Sequence, residues 1–282
     1  MLTVHTVAEL RQQLAVWRAA GERIAFAPTM GNLHAGHIDL IHAAKTHAPR
    51  VVASVFVNPL QFGPKEDFSR YPRTLPDDAA KLEAAGCDLL FAPSVEAMYP
   101  HGLPLTTQVQ VSQVSEGLEG EFRPGHFEGV ATVVNVLFNL VQPDVALFGE
   151  KDWQQLAVIT RMVRDLHLPI TIIGVPTRRE ASGLAMSSRN QYLAADERHT
   201  AAVIHATLVT IAHEIQQGSR DFQGLEQAGV QALSAHGFAP QYVAIRTPDL
   251  LPATNENKGL VILVAALLGK TRLIDNLRVT LG

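Results

Sequence analysis

Two histidines stand three residues apart in the segment His34-Ala35-Gly36-His37, which follows a short apolar run. If a helix begins here, both imidazoles lie on one face of it, and Gly36 lets a ligand approach the backbone. The first turn of a helix offers backbone N–H groups and a positive potential, which suit a polyphosphate. Metal ligation by the pair is the competing, less favoured interpretation. We therefore expect a phosphate site here and no metal held by the protein itself.

Two further polar segments contain groups that suit phosphate oxygens. Lys151 supplies a cation after the apolar run 145–148, and Asp152 is a helix cap, a ligand contact or both. The segment Met186-Ser187-Ser188-Arg189 adds two hydroxyls and a guanidinium, although alone it also fits a loop with a helix cap. These segments support the phosphate interpretation only in combination.

The motifs that are missing narrow the reaction. The sequence contains no GxGxxG after a strand, no GxSxG and no HExxH, and residues 264–271 resemble a Walker loop but have Val264 where its first glycine must stand. Basic and hydroxyl side chains without an evident protein nucleophile suit attack of a substrate oxygen on an α-phosphorus, with pyrophosphate leaving. The missing motifs therefore favour an enzyme that works by positioning a nucleotide and a substrate oxygen and by stabilising phosphate charge.

The elements that position these segments follow an α/β rhythm. Strands are predicted at residues 24–28, 51–57, 88–92, 145–148 and 170–175, and helices at residues 35–48, 77–85, 130–141 and 153–166. Alternating strands and helices predict a Rossmann-like, doubly wound parallel sheet. The polar segments follow the strands, and the carboxyl ends of parallel strands line one crevice. We expect the polar segments to meet there.

The last third of the chain has a different pattern. Helices are predicted at residues 194–217 and 222–236, and strands at residues 242–246, 260–266 and 271–279, which indicates a smaller α+β domain. We therefore predict an ATP- and substrate-binding domain at residues 1–177 and a C-terminal domain at residues 178–282 that closes over the site.

Composition and sequence patterns disfavour several classes of protein. The 282 residues are 47% hydrophobic and carry a formal net charge of −4, which disfavours a nucleic-acid partner. No signal-peptide pattern and no run of 18 apolar residues is present, so we expect a cytoplasmic protein without a membrane partner. Cys87 is the one cysteine, and its apolar neighbours favour a small core residue over a nucleophile.

Longer motifs along the whole chain resemble one family. They are Pro28-Thr29-Met30-Gly31 with His34 and His37, Phe56-Val57-Asn58-Pro59-Leu60-Gln61-Phe62-Gly63, Tyr71-Pro72-Arg73-Thr74, Arg123-Pro124-Gly125-His126-Phe127, Phe148-Gly149-Glu150-Lys151-Asp152 with Gln154-Gln155, and Gly183-Leu184-Ala185-Met186-Ser187-Ser188-Arg189-Asn190. Together they resemble the pantothenate synthetase (pantoate–β-alanine ligase) family, within the nucleotidyltransferase superfamily marked by HxGH.

This resemblance implies a reaction and its reactants. (R)-Pantoate and β-alanine would be condensed with ATP and Mg²⁺ to pantothenate, AMP and pyrophosphate through a pantoyl-adenylate, as in pantothenate and coenzyme A biosynthesis. It also implies a homodimer. The main alternatives are a nucleotidylyltransferase or class I synthetase-like enzyme with another acceptor, and a binding module without activity.

The resemblance also assigns site residues. ATP would be bound by Met30, Gly31, Asn32, Leu33, His34, Ala35, Gly36, His37, Gly149, Glu150, Lys151, Asp152, Arg178, Met186, Ser187, Ser188 and Arg189. Among these, His34, His37, Lys151, Ser187, Ser188 and Arg189 would be catalytic. Gln61 and Gln155 would hold pantoate, and Asn58 would contact a substrate in the second step. For Arg123 and His126, a structural or dimer-interface role is as well supported as a place in the site.

Three positions depart from the family pattern as the resemblance gives it. Lys65 stands where Asn is expected, Arg178 where an apolar residue beside the adenine is usual, and Ser182 where Asp is common. Arg178 makes side-chain packing on the base questionable, whereas a backbone contact there would survive the change.

Overall fold

The computed structural model describes residues 1–64, 66 and 68–281, so Lys65 lies outside the described residues. The chain divides into two compact units. Unit 1 comprises Met1–Glu150 and Val158–Val175, and unit 2 comprises Lys151–Ala157 and Pro176–Gly282. The predicted boundary after residue 177, with a closing motion of the second domain, stays a prediction.

Unit 1 contains a parallel sheet of six strands, which confirms the predicted α/β class. The strands are β1 (Leu2–Val4), β2 (Ile24–Thr29), β3 (Arg50–Val55), β4 (Leu89–Phe91), β5 (Val145–Gly149) and β6 (Thr171–Val175). Their order is β1-β4-β3-β2-β5-β6, and every pair is parallel. The chain winds away in opposite directions from β2 and β5, so the switch point for ligand binding lies between these two strands.

Helices flank this sheet. They are α1 (Val7–Ala19), α2 (Ala35–His47), α3 (Leu75–Ala84), α4 (Val95–Met98), α5 (Leu118–Phe122), α6 (His126–Val141) and α7 (Trp153–Asp165). The helix α2 buries Leu40, Ile41 and Ala44 in a cluster with alanines of β2. The middle strands β2 and β3 are buried on both faces, as strands of parallel sheets usually are, and their residues are therefore apolar without alternation.

Besides the first residues of α7, the described part of unit 2 contains three α-helices and an antiparallel sheet, as the α+β pattern predicts. The elements are α8 (Ala195–Ala201), α9 (Val203–Gln216), α10 (Phe222–Ala235), β7 (Phe238–Arg246), β8 (Gly259–Leu268) and β9 (Thr271–Thr280), with the strands in the order β7-β8-β9. The single helix predicted at residues 194–217 is wrong. The structure has two helices that meet at Ala202. The N–H of Ala202 donates to the carbonyl of His199, three residues earlier, instead of making the α-helical bond to the residue four positions earlier.

The segment that resembles a Walker loop is a tight turn. Gly269 and Lys270 connect β8 to β9, and Gly269 has φ +57°, as a two-residue hairpin turn requires. The rejection of a P-loop is therefore confirmed. Within the described part of the chain, no helix combines the length and apolar character needed to cross a bilayer.

Candidate active site

The loop that follows β2 is held by a buried carboxylate. Asp78, in α3, accepts hydrogen bonds from the backbone amides of Asn32 (2.9 Å) and Leu33 (2.8 Å) and from the hydroxyl of Thr74 (3.0 Å). Gly31 has φ +83°, and a Cβ there would lie 3.0 Å from the Asp78 carboxylate. Sequence reasoning missed Asp78, because an acidic residue in the first turns of a helix is ordinary.

The predicted histidine pair lies at the start of α2. His34 is the N-cap, and its Nδ1 accepts from the amide of Gly36 at 3.1 Å. The Nδ1 of His37 accepts from the amide of His34 at 3.2 Å, and the two ring centroids are 4.1 Å apart. Because each Nδ1 is an acceptor, each neutral ring carries its proton on Nε2. Both rings therefore present an N–H donor.

A second group of polar residues lies after β3, where the side chain of Asn58 is 1% exposed. Its Nδ2 donates to the carbonyl of Gly129 and to Oε1 of Gln61, both at 3.1 Å. Its Oδ1 accepts from the amide of Leu60 (3.2 Å) and from the hydroxyl of Tyr99 (2.8 Å). The backbone groups at both ends fix the orientation of the Asn58 amide, and all of its hydrogen-bonding positions are used.

The orientation of Asn58 also determines that of Gln61. Because Oε1 of Gln61 accepts from Asn58, the other end of the amide is the NH2 group, which lies 3.0 Å from Sδ of Met30. Met30 belongs to the loop after β2, so the structure brings the first two predicted segments together within unit 1. The Gln61 oxygen therefore accepts from Asn58, and its NH2 group donates one hydrogen towards Met30 and has a second hydrogen to donate.

The backbone of Gln61 is held by a buried histidine. Nδ1 of His126 donates to the carbonyl of Gln61 at 2.9 Å, and its Nε2 accepts from Nη1 of Arg123 at 2.9 Å. Arg123 forms a bidentate pair with Glu66, at 2.7 Å for both bonds. Burial, and then the charge of Arg123, lower the pKa of His126 to about 4. A neutral His126 with its proton on Nδ1 can both donate to the carbonyl of Gln61 and accept from Arg123.

Helix α6 packs closely against residues 59–61 at Gly129. A Cβ on Gly129 would clash with the carbonyl oxygen of Leu60, so only glycine allows the helix to pack against residues 59–61. No local signal in the sequence distinguishes this glycine from others in the chain.

The predicted Lys151 and Asp152 lie at the beginning of unit 2. Glu150–Asp152 forms a 3-10 turn after Gly149 and before α7. Nζ of Lys151 is 3.8 Å from Oδ1 of Asp152, and the carbonyl of Lys151 accepts from Nδ2 of Asn276 at 2.8 Å. The ammonium is therefore paired only loosely with a neighbouring carboxylate. In α7, Gln154 is buried and Gln155 is half-buried.

The predicted serine–arginine segment follows a short hairpin. The amide of Met186 donates to the carbonyl of Arg178 at 2.9 Å, so the main chain of Arg178 is engaged within this hairpin. Ser187 caps the 3-10 helix Ser188–Tyr192, and its Oγ accepts from the amide of Arg189 at 3.2 Å. The loop-and-cap interpretation is thus confirmed, while nucleotide contact by these residues stays a prediction.

One buried ion pair in unit 2 was not anticipated. Arg179 donates to both carboxylate oxygens of Asp275, at 2.6 and 3.0 Å, and Asp275 is 5% exposed. Arg179 also donates to the carbonyl of Gly183 at 3.1 Å. The partners lie 96 residues apart in the chain, so local sequence held no sign of the pair.

The described residues supply many donors but no activated nucleophile at these positions. Cys87 is 4% exposed, which confirms it as a core residue, and this burial raises the pKa of its thiol to about 12. Among the described residues, no three His, Cys, Asp or Glu side chains are grouped as a metal site would require. The arrangement suits stabilisation of negative charge on substrates, with the reacting atoms supplied by the substrates themselves.

Comparison with known proteins gives a consistent result. A model of the family described as pantoate-beta-alanine ligase matches residues 2–278. A pantothenate synthetase of Pseudomonas fluorescens (strain Pf0-1) is 60% identical over 282 residues, which cover 100% of this chain and 99% of the relative. One from Azotobacter vinelandii is 57% identical, with complete coverage of both chains.

Solved structures agree with these relatives. The pantothenate synthetase of Thermus thermophilus superimposes with a TM-score of 0.92 at 51% identity, covering 98% of this chain and 99% of the other. A pantoate-beta-alanine ligase from Francisella tularensis, complexed with beta-gamma ATP and beta-alanine, gives a TM-score of 0.78 at 32% identity, covering 98% and 97%.

Proposed function

The chain belongs to the pantoate–β-alanine ligase family, whose reaction consumes ATP, and we propose how its residues carry that reaction out. In the first step a carboxylate oxygen of (R)-pantoate attacks the α-phosphorus of ATP, the bond to pyrophosphate breaks, and pantoyl-adenylate forms. In the second step the amine of β-alanine attacks the acyl carbon, AMP leaves, and the amine loses a proton. Pantothenate is the product.

The observation that carries this proposal is the paired imidazoles at the start of α2. Both Nδ1 atoms accept backbone N–H groups, so His34 and His37 each offer an Nε2–H donor at a positive helix terminus. Such donors stabilise charge that develops on a triphosphate while pyrophosphate leaves. Residues Met30 to Leu33 then line the nucleotide, on a loop whose path Asp78 fixes.

We assign the remaining nucleotide contacts by the chemistry of the residues. The Lys151 ammonium and the Arg189 guanidinium neutralise phosphate charge, and the hydroxyls of Ser187 and Ser188 donate to phosphate oxygens. Asp152 accepts from the ribose, and Gly149, Glu150, Arg178 and Met186 complete the nucleotide contacts through their backbone or side chains.

Pantoate is bound by Gln61 and Gln155. The NH2 group of Gln61 donates one hydrogen towards Sδ of Met30, and we assign its second hydrogen to an oxygen of pantoate. Because every hydrogen-bonding position of Asn58 is used inside the protein, we assign Asn58 a positioning role in place of the substrate contact that the resemblance implies.

Three further properties are part of this proposal. ATP is used as its Mg²⁺ complex. The proposed site has more groups that bind phosphate than carboxylates that could bind a metal, and Mg²⁺ is commonly held by substrate phosphates and water. The protein acts as a homodimer, as its family resemblance suggests, and it acts in the cytoplasm, as the sequence patterns suggest. Sedimentation at working concentration tests the dimer, and a monomer would contradict it.

Product analysis tests the proposed function. The purified protein is incubated with ATP, Mg²⁺ and pantoate, with and without β-alanine. We expect AMP, pyrophosphate and pantothenate together only in the full mixture, and pantoate-dependent exchange of labelled pyrophosphate into ATP without β-alanine. Exchange that does not require pantoate would overturn the proposed adenylate.

A further inference from the structure

Two consecutive residues of β9 contact Lys151 and Arg179, of which the first belongs to one predicted phosphate-binding segment of unit 2 and the second precedes the other. Nδ2 of Asn276 donates to the carbonyl of Lys151 at 2.8 Å. The carboxylate of Asp275 pairs with Arg179 through two bonds, at 2.6 and 3.0 Å. Both residues are 5% exposed, and neighbouring side chains on a strand point to opposite faces. A single short piece of strand is therefore connected to both segments.

The contact through Arg179 extends to the serine–arginine segment. Arg179 pairs with Ala185 as an isolated bridge and donates to the carbonyl of Gly183, so its hairpin is bound to β9. A further bond runs from Nη2 of Arg179 to the carbonyl of Asn276 at 3.2 Å. Since Ser187 follows this hairpin after one residue, β9 sets where the segment Met186-Ser187-Ser188-Arg189 begins.

We propose that Asp275 and Asn276 are positioning residues that hold Lys151 and the serine–arginine segment in one arrangement for adenylate formation. The inference rests on the proposed function of those segments. A buried ion pair is by itself weak evidence for stability, so we look for another role of this pair. Placing a cation to within about 1 Å is such a reason, because a misplacement of that size can cost roughly 100-fold in rate.

The test is a double-mutant cycle on pantoate-dependent pyrophosphate exchange. Asn276→Asp keeps the shape of the side chain but replaces the donor to the Lys151 carbonyl with an acceptor. We expect the exchange rate to fall about 10-fold or more, with little change in the KM for pantoate. If Asn276 acts through Lys151, the same substitution in a Lys151→Ala background lowers exchange by less than about twofold. The label that pyrophosphate carries accumulates in ATP over long incubations, so the slow variants can be compared.

Two further variants separate positioning from stability. Asn139→Asp is the matched control, because Asn139 also donates to a backbone carbonyl at 2.8 Å, but on an exposed face of α6, and it should leave exchange unchanged. Asn276→Ala, which adds no charge, repeats the cycle if Asn276→Asp does not fold.

The outcomes distinguish this inference from the proposed function. Equal losses from the Asn276 substitution in the parent and the Lys151→Ala background would overturn the positioning role alone. A Lys151→Ala variant with the parent rate, or a parent without pantoate-dependent exchange, would instead overturn the proposed function.

Discussion

Nδ2 of Asn58 donates to Oε1 of Gln61 over 3.1 Å, and this one bond determines which end of the Gln61 amide is available to a ligand. Asn58 is itself oriented by the carbonyl of Gly129 and the amide of Leu60. The orientation of the Gln61 amide is thus fixed, through Asn58, by backbone groups of Gly129 and Leu60.

Gln61→Glu tests this orientation. The substitution keeps the shape of the side chain but replaces the NH2 donor with a carboxylate oxygen, which repels the carboxylate of pantoate. Loss of a hydrogen bond to a charged group costs about 1.5–3 kcal/mol, so we expect the KM for pantoate to rise roughly 10- to 100-fold. Steady-state kinetics should show an unchanged KM for ATP. Gln12→Glu, on the exposed face of α1, is the control. An unchanged KM for pantoate would refute the assignment.

Asp78→Asn tests the support of the loop after β2. One carboxylate oxygen becomes an NH2 group that opposes a backbone N–H of Asn32 or Leu33, so a buried donor loses its acceptor. We expect the free energy of unfolding to fall by about 2–4 kcal/mol and the KM for ATP to rise. Urea denaturation and kinetics measure both quantities. The neighbouring Asp77 is exposed, and Asp77→Asn should change stability by less than about 0.5 kcal/mol.

His37→Ala tests the donor at the start of α2. Removal of one preorganised donor to developing charge typically costs about 10²- to 10³-fold in turnover, and we expect this loss in pyrophosphate exchange. His42 lies exposed on the same helix, so His42→Ala controls for a general effect on α2. A His37→Ala variant that exchanges at nearly the parent rate would rule out the assigned role.

The stability of the protein should depend on pH through His126. Its pKa in the folded state is about 4, whereas an imidazole in the unfolded chain titrates near ~6.5. Above pH ~6.5 the ring is neutral in both states. As pH falls from ~6.5 to about 4, only the unfolded chain takes up the proton, so the free energy of unfolding decreases by up to about 3 kcal/mol.

His126→Asn separates this effect from other titrations. Asparagine can still donate to the carbonyl of Gln61 but does not titrate. Urea denaturation of both proteins across pH 4–8 should show a steeper acid loss in the parent. Other charged groups near the ring, Arg123, Glu66 and Glu119, are common to both proteins. Parallel curves would contradict the role of His126.

Much of the fold could be predicted because its apolar runs and turns are local signals. All five predicted strands of the first sheet are present, with ends shifted by at most two residues. The strand β1 was missed because three residues, two of them exposed, give no periodicity. The helix α1 was missed despite the buried Leu10, Leu14 and Trp17 and a capping box between Thr6 and Glu9. That capping box was a recognisable signal.

The candidate site was predictable in its residue types but not in its supporting contacts. The histidine pair and Gln61 belong to contiguous motifs, so their sequence neighbourhood identified them. The roles of Asp78 and Arg179 depend on partners 45 to 96 residues away in the chain. Their importance comes from burial and pairing, which a single sequence does not encode locally.

The pairing of β2 with β5 has a consequence for the order of folding during synthesis. Ala25 lies opposite Val145, so about 120 residues are translated between the two partners. Until β5 has emerged from the ribosome, β2 can pair with β3 but has an open edge on its other side. A nascent chain that stalls before residue 145 would therefore expose the edge of β2, and chaperones that bind extended apolar segments would have access to it.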